Sequence, residues 1–462
     1  MFSIQPRFKP SVLEAFFILI LVIALIGYFI IGLEIVPHIP ILLGIMLLIG
    51  YGYLHRISFK QMEEAMINAA KSGMGAVFLL FLIGILISSW IISGTIPTLI
   101  NTGFYLVNGT WFYAIVFVVT SIIGVSLGSS LTTTATIGIA FIGMADAMDA
   151  SLAITAGAIV SGAFFGDKMS PLSDTTNLAS AIVGVDLFDH IKHISLTTIP
   201  AFIISFIVFV ILSPAQTSDS LEQIAMYQAA LEATNLIHLA SWIPLIILIV
   251  CTILRVPAFI SLTLSSLAGT FIAWSMNHFT GTELWSAWFN GYVGETTFEP
   301  VNELLTKGGM NSMLFTISLV ILALSFGGLL FVTGVIPSLL ASIQEKIKTA
   351  RKATISTATT AIGINVIIGE QYLSILLTGE TFKSVYQNAG LPNKALARTL
   401  EDAGTVINPL VPWSVCGVFI ANVLGVSVME YLPFAFFCLL SPIITVLFSG
   451  RKVSKKKEEA IQ

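Results

Sequence analysis

Apolar runs of spanning length recur along almost the whole chain, and they are continuous rather than alternating. In lipid every backbone polar group needs an internal partner, so only helices and closed barrels cross. Barrel strands alternate apolar and polar residues, which these runs do not, so helices are predicted. Only 10% of the residues are charged and 56% are hydrophobic, whereas a soluble domain is about 25% charged. Spans are expected at 14–33, 39–54, 74–93, 111–128, 131–145, 195–213, 236–254, 257–275, 312–333, 355–370, 371–388 and 430–449, with broken spans over 151–185 and 394–424. The prediction is an all-α polytopic membrane protein of about 10–14 spans. Re-entrant hairpins are the alternative near 95–107, 129–134 and 336–343. No small-residue cleavage site follows Ala15–Leu33, so that run reads as a first membrane helix and not a removed signal.

The remaining composition excludes several classes. A net charge of -4 over 462 residues offers nucleic acid no basic surface. Cys251, Cys416 and Cys438 lie singly in apolar runs, so neither a metal motif nor a disulfide framework is expected. No cofactor is implied.

Loop charges and an internal repeat set the organisation. Arg7, Lys9, Arg56, Lys60, Lys71, the cluster Lys346, Lys348, Arg351 and Lys352, and the basic tail read as cytoplasmic. The acidic inserts 214–235 and 276–307 read as external, which puts both termini in the cytoplasm. Ser93-Gly94-Thr95-Ile96-Pro97 matches Thr333-Gly334-Val335-Ile336-Pro337 at an offset of 240. Lys71-Ser72-Gly73-Met74 matches Lys307-Gly308-Gly309-Met310 at 236, and Gly166 to Leu172 matches Gly404 to Leu410 at 238. Loop 55–72 is basic where its counterpart 276–307 is acidic, and loop 101–110 is uncharged where 341–352 is basic. Equivalent loops therefore face opposite sides, the mark of inverted repeats with a site at the midplane. The expected units are 1–213, a linker 214–235, a second repeat 236–449 and a cytoplasmic tail 450–462.

The candidate site is Gly166 to Asn177. Pro171 lacks an amide hydrogen and disfavours helix at Ser170, and Gly166 tolerates unusual backbone angles, so the segment reads as unwound. Carboxylates at this depth are costly and mark function. Asp174, with Ser173, Thr175, Thr176, Asn177 and freed carbonyls, offers the oxygen ligands a hard cation such as sodium prefers; Ser170 adds a hydroxyl. Asp174 is favoured as the group that exchanges a proton for sodium, with Asp167 and Lys168 as a structural or gating pair; the reverse assignment of the aspartates stays open. Ser126 to Thr134, including Ser129, Thr132 and Thr133, is either a second ligand-bearing break or a run of small residues for close helix packing. The second repeat has lost both aspartates, with Thr405 and Pro412 in their places, but keeps Asn408. Glu370 is a candidate embedded acid, and Glu401 and Asp402 are read either as site groups or as part of an interfacial helix with Arg398. His190 and His193 are expected at an interface.

At Gly166-Asp167-Lys168-Met169-Ser170-Pro171-Leu172-Ser173-Asp174-Thr175-Thr176-Asn177 the sequence resembles the NhaC family of sodium/proton antiporters, and Ser93 to Pro97 resembles it too. The resemblance implies sodium extrusion coupled to proton entry, with sodium ions and protons as the transported species. It also implies a bacterial cytoplasmic membrane, inverted repeats with broken helices, and one domain moving against a dimeric scaffold, hence a homodimer. The family includes relatives that exchange malate for lactate or carry amino acids, so an organic substrate is the alternative. The expected function is electrogenic antiport and not enzymatic catalysis. Electrogenic exchange needs more than one proton per sodium, and Asp167 or Glu370 would supply the second titratable group.

Overall fold

The computed structural model describes residues 5–106, 111–213, 218–344, 347 and 349–449. The expected tail 450–462, residues 214–217 of the linker, and Lys346 and Lys348 lie outside the described residues. Among the described residues every regular element is helical.

The first half runs α1 (Val12–Gly27), α2 (His38–Leu54), α3 (Phe59–Ser72), α4 (Met74–Ile92), α5 (Thr95–Leu106), α6 (Phe112–Leu127), α7 (Ser130–Thr133), α8 (Ile139–Ala147), α9 (Leu152–Met169), α10 (Asp174–Val183) and α11 (Leu187–Leu212). After α12 (Ser218–Ala233), the second half runs α13 (Ile243–Ile253), α14 (Ala258–Ser275), α15 (Gly281–Asn290), α16 (Glu299–Leu305), α17 (Met310–Val332), α18 (Val335–Gln344), α19 (Ala350–Ile368), α20 (Gln371–Asn388), α21 (Asn393–Leu400), α22 (Val415–Leu424), α23 (Val428–Tyr431) and α24 (Phe436–Leu447). Starts follow capping chemistry: Ser11 with Glu14 and Ser58 with Gln61 form reciprocal capping boxes. Helix α3 is amphipathic, burying Met62, Ala65 and Ala69 against α17 and leaving Lys60 and Lys71 outward.

The halves share local geometry where their sequences match. Helices α4 and α5 meet at Gly94, and α17 and α18 at Gly334, each with φ +77°. A Cβ at Gly94 would lie 1.7 Å from the Leu236 carbonyl oxygen, and one at Gly334 2.0 Å from that of Phe8. Only glycine suits both the left-handed backbone and the crowding. Two further left-handed glycines, Gly128 and Gly369, end α6 and α19. Helix α20 doubles back along α19, and the Ser374 hydroxyl donates to the Ala361 carbonyl at 2.7 Å.

Two groups of helices result. Helices α2, α3, α4, α13, α14 and α17 pack as one set, and α6, α9, α10, α11, α19, α20, α21 and α24 as another. Helices α6 and α9 touch backbone to backbone. A Cβ on Gly166 would sit 2.4 Å from Gly124 Cα, and one on Gly162 2.5 Å from the Phe117 carbonyl oxygen. Gly166 is therefore a packing glycine inside α9 and not part of an unwound stretch, which corrects the sequence expectation. Small residues four apart permit this approach. Among the described residues, six helices are long and apolar enough to cross a bilayer alone, or eight if each bent pair counts as one span. Four further apolar helices have 10–17 residues.

Candidate ion site between broken helices

Helix α9 ends at Met169, and Ser170 turns extended (φ -87°, ψ 132°) ahead of Pro171. The chain re-enters helix at Asp174, capped by Ser173, whose hydroxyl accepts from Thr176 N at 3.3 Å. The counterpart is a π turn Glu401–Thr405, a single 3₁₀ turn at Asn408–Leu410, and α22 after the cap Ser414. The two helix tips close on these breaks. A Cβ on Gly128 would lie 2.7 Å from Leu172 Cβ, and one on Gly369 3.1 Å from Ser414 Cα.

The starts of α7, α10, α20 and α22 consequently converge on one cavity of about 700 Å³. Asp167, Asp174, Thr175, Ser129, Thr132 and Glu370 line it. Residues of α4, α14 and α17 form the facing wall, and the cavity reaches the surface beside exposed Ser72, Arg255 and Pro257. Helix N-termini carry partial positive charge, so four of them together favour ionised carboxylates, which in turn attract a cation.

The carboxylates differ in their surroundings. Asp167 is buried, and its Oδ2 accepts from the Ser130 hydroxyl at 2.7 Å and from Ser130 N at 3.3 Å. Asp174 is exposed to the cavity and makes no hydrogen bond or ion pair among the described residues. Glu370 is buried at the cap of α20, where Oε2 accepts from Leu373 N at 2.8 Å. No group of three His, Cys, Asp or Glu side chains is placed to hold a metal ion among the described residues. A cation here would be held by carboxylate and hydroxyl oxygens.

Several expected site residues are not at the cavity. The Thr176 hydroxyl donates to the Lys168 carbonyl at 3.3 Å, and Asn177 Nδ2 donates to the carbonyls of Pro171 and Ser173 at 3.0 and 2.7 Å. Ser170 accepts from Leu172 N at 3.2 Å, and the Thr133 hydroxyl donates to the Ser129 carbonyl at 2.8 Å. These groups, with the cap Ser173, satisfy backbone atoms that the breaks set free. Asn408 accepts from Cys416 N at 3.0 Å and donates to Asn365 Oδ1 at 2.8 Å.

Lys168 is not paired with Asp167. It is fully buried, its ammonium donates to Asp402 Oδ1, and it lies 5.4 Å from the centre of the Phe437 ring. Consecutive helical residues point about 100° apart, so neighbours in sequence diverge in space. Asp402 Oδ2 also accepts from the Thr197 hydroxyl at 2.9 Å. Neither Glu401 nor Asp402 is interfacial, since both are fully buried. His190 and His193 are buried too, because the first turns of α11 pack against α21 and not against water. Sequence reading placed Ser130 in the hydroxyl-rich run 126–134 without a role of its own, and missed Thr197 and Asn365. A lone asparagine in the apolar run 361–368 was a usable signal for Asn365; Thr197 had none beyond the hydroxyls common throughout the chain.

The profile of the Na+/H+ antiporter family matches residues 162–450. The chain is 41% identical to the Na+/H+ antiporter NhaC of Alkalihalophilus pseudofirmus over 433 residues, 93% of each chain. It is 37% identical to the Na+/H+ antiporter NhaC of Bacillus subtilis, over 93% of this chain and 95% of the relative. It is also 34% identical to the arginine/ornithine antiporter ArcD of Halobacterium salinarum, over 94% of this chain and 90% of the relative.

Proposed function

We propose a mechanism from one premise: the chain belongs to the Na+/H+ antiporter family. It exchanges sodium for protons across a bacterial cytoplasmic membrane by alternating access. The observation that carries the reading is Asp174, a cavity-facing carboxylate at a helix start with no protein partner among the described residues. Sodium is held by Asp174 with Thr175 and the hydroxyls of Ser129 and Thr132 across the cavity. Asp167 exchanges its proton with cavity water while Ser130 steadies its charged form. Glu370 faces the same space from the second half and tunes it. One proton per sodium would leave the membrane potential unused, whereas each further charge moved is driven by about 2.3 kcal/mol per 100 mV.

The basic loops support cytoplasmic termini, and with them the mouth beside Ser72 and Arg255 faces the cytoplasm. The described conformation is then inward-open. The halves 1–213 and 236–449 are related as inverted repeats, and exchanging the conformations of the two halves opens the site outward. The resemblance to transporters with a dimeric scaffold supports a homodimer. Everted vesicles test the core of the proposal. Sodium should restore the fluorescence of a pH-quenched dye in wild-type vesicles and not in Asp174→Asn vesicles. Normal transport by Asp174→Asn would sink the assignment.

A second reading rests on the cavity's size. About 700 Å³ greatly exceeds one water's share of roughly 30 Å³, and Arg255 stands at the mouth. An organic acid or amino acid would fit and be carried on the same ion site. Counterflow of labelled malate, lactate, arginine or tyrosine in proteoliposomes separates the two readings.

A further inference from the structure

The π turn Glu401–Thr405 holds a carboxyl group that the exchange at Asp174 does not use. Glu401 is fully buried, and among the described residues neither side-chain oxygen makes a hydrogen bond of good geometry. Asp167 and Lys168 of α9 and Asp402 beside it are within electrostatic reach. The Thr405 hydroxyl is close enough to interact with the carboxyl, but its geometry falls short of a good hydrogen bond. The turn packs against α9, α10, α19, α20, α21 and α24, yet Asp174 at the start of α10 and Arg398 on α21 make no bond to it. Lys168 is already engaged by Asp402, so Glu401 is left without a counter-ion.

An ionised carboxylate buried without a partner costs several kcal/mol, and the group keeps its proton instead. We propose that Glu401 is the second proton carrier, loaded in the described conformation and emptied through Asp167. Asp167 is the only one of its charged neighbours that also lines the cavity among the described residues. Asp167 first releases its proton to cavity water, the Glu401 O–H bond breaks, and the proton bonds to the vacated Asp167 oxygen and leaves by the same route. Sodium arriving at Asp174 places a positive charge within electrostatic reach of Asp167, favours its ionised form and so frees it to take the Glu401 proton. Two carboxyls that share a route titrate as a pair, which gives the two protons per sodium that potential-driven exchange needs.

The inference rests on the antiport reading, and the test separates their failures. Sodium is titrated calorimetrically into purified full-length protein in two buffers of different ionisation enthalpy, which reads protons released per sodium bound. Wild type should release protons, and Glu401→Gln should release one fewer per sodium. In proteoliposomes, Glu401→Gln exchange should also lose its response to an imposed potential while still running on a sodium gradient. Release of no proton by wild type overturns the antiport reading. Equal release by wild type and Glu401→Gln overturns the role of Glu401 alone. Should Glu401→Gln not fold, Glu401→Asp keeps a carboxyl one methylene further from Asp167. It should retain the proton count and shift the pH midpoint of sodium binding, and an unshifted midpoint also overturns the proposal.

Discussion

Lys168 and Asp402, 234 positions apart, form a buried ion pair that joins the broken helix of one half to that of the other. Thr197 of α11 bonds the second carboxylate oxygen, so three segments meet at one charge pair. Removing one member of such a pair leaves a buried charge uncompensated and costs about 3–5 kcal/mol, whereas replacing both is far milder. Lys168→Met and Asp402→Asn should each lower the unfolding midpoint in detergent sharply. The double variant should recover a large part of the loss. A double variant as unstable as the sum of the singles would show that the pair is not an energetic unit.

The approach of α6 to α9 sets where Asp167 meets the tip at Ser130. Gly166 faces backbone on its crowded side, and backbone cannot give way as a flexible side chain does. Gly166→Ala should destabilise by about 3 kcal/mol through overpacking, and should weaken sodium binding by displacing Asp167. Gly363 in α19 offers the contrast, with nothing within 4 Å of an added Cβ. There alanine gains up to about 1 kcal/mol of helix propensity. Thermal unfolding of the two variants side by side decides it, and equal effects would mean the close approach is not limiting.

The sequence foretold the helices because their signals are local. Apolar length marked the spans, and Pro171 and Pro409 marked the breaks. The matched Gly94 and Gly334 marked two identical bends, both of which are left-handed. What stayed hidden was set by three-dimensional partners. Adjacency suggested Asp167 for Lys168, yet the partner is Asp402. Charge suggested an interface for His190, His193 and Glu401, yet packing around α21 buries all three. The hydroxyl of Thr176 was expected as an ion ligand, and that of Thr133 as a ligand or a packing residue, but both bond backbone carbonyls. No spacing rule separates a serine that caps a helix from one that faces an ion.

Asn365 holds the second break together. Its amide donates to the Gly404 carbonyl at 2.6 Å, and its oxygen accepts from Asn408 Nδ2. Asn365→Leu strands both groups in a buried setting, at about 1–3 kcal/mol each. The variant should unfold earlier and bind sodium more weakly, because Asn408 also fixes the start of α22 through Cys416 N. Sodium-induced stabilisation of the purified variant measures the second effect. An unchanged response would separate this network from the ion site.

Lys307 ties the loop before α17 to the end of α22, its Nζ donating to the Val423 carbonyl at 2.9 Å. Asn422 Nδ2 adds a second tie to the Ser312 carbonyl at 3.2 Å. The loop belongs to the acidic insert; in the proposed orientation that insert is external, and these bonds would latch the outer side while the cavity is open beside Arg255. Burial lowers the Lys307 pKa from 10.5 to about 8. The latched state therefore binds fewer protons than the released state between those values, and its stability rises with pH across that window. Below about pH 8 both states are charged, and the latch carries the full burial penalty. A cysteine at Leu172, which lines the cavity, reports on closure when treated with an impermeant thiol reagent from outside. Corrected for thiol ionisation, its labelling should slow from pH 8 to pH 10. Lys307→Met should remove that dependence. A pH profile that persists in Lys307→Met would place the titrating group elsewhere.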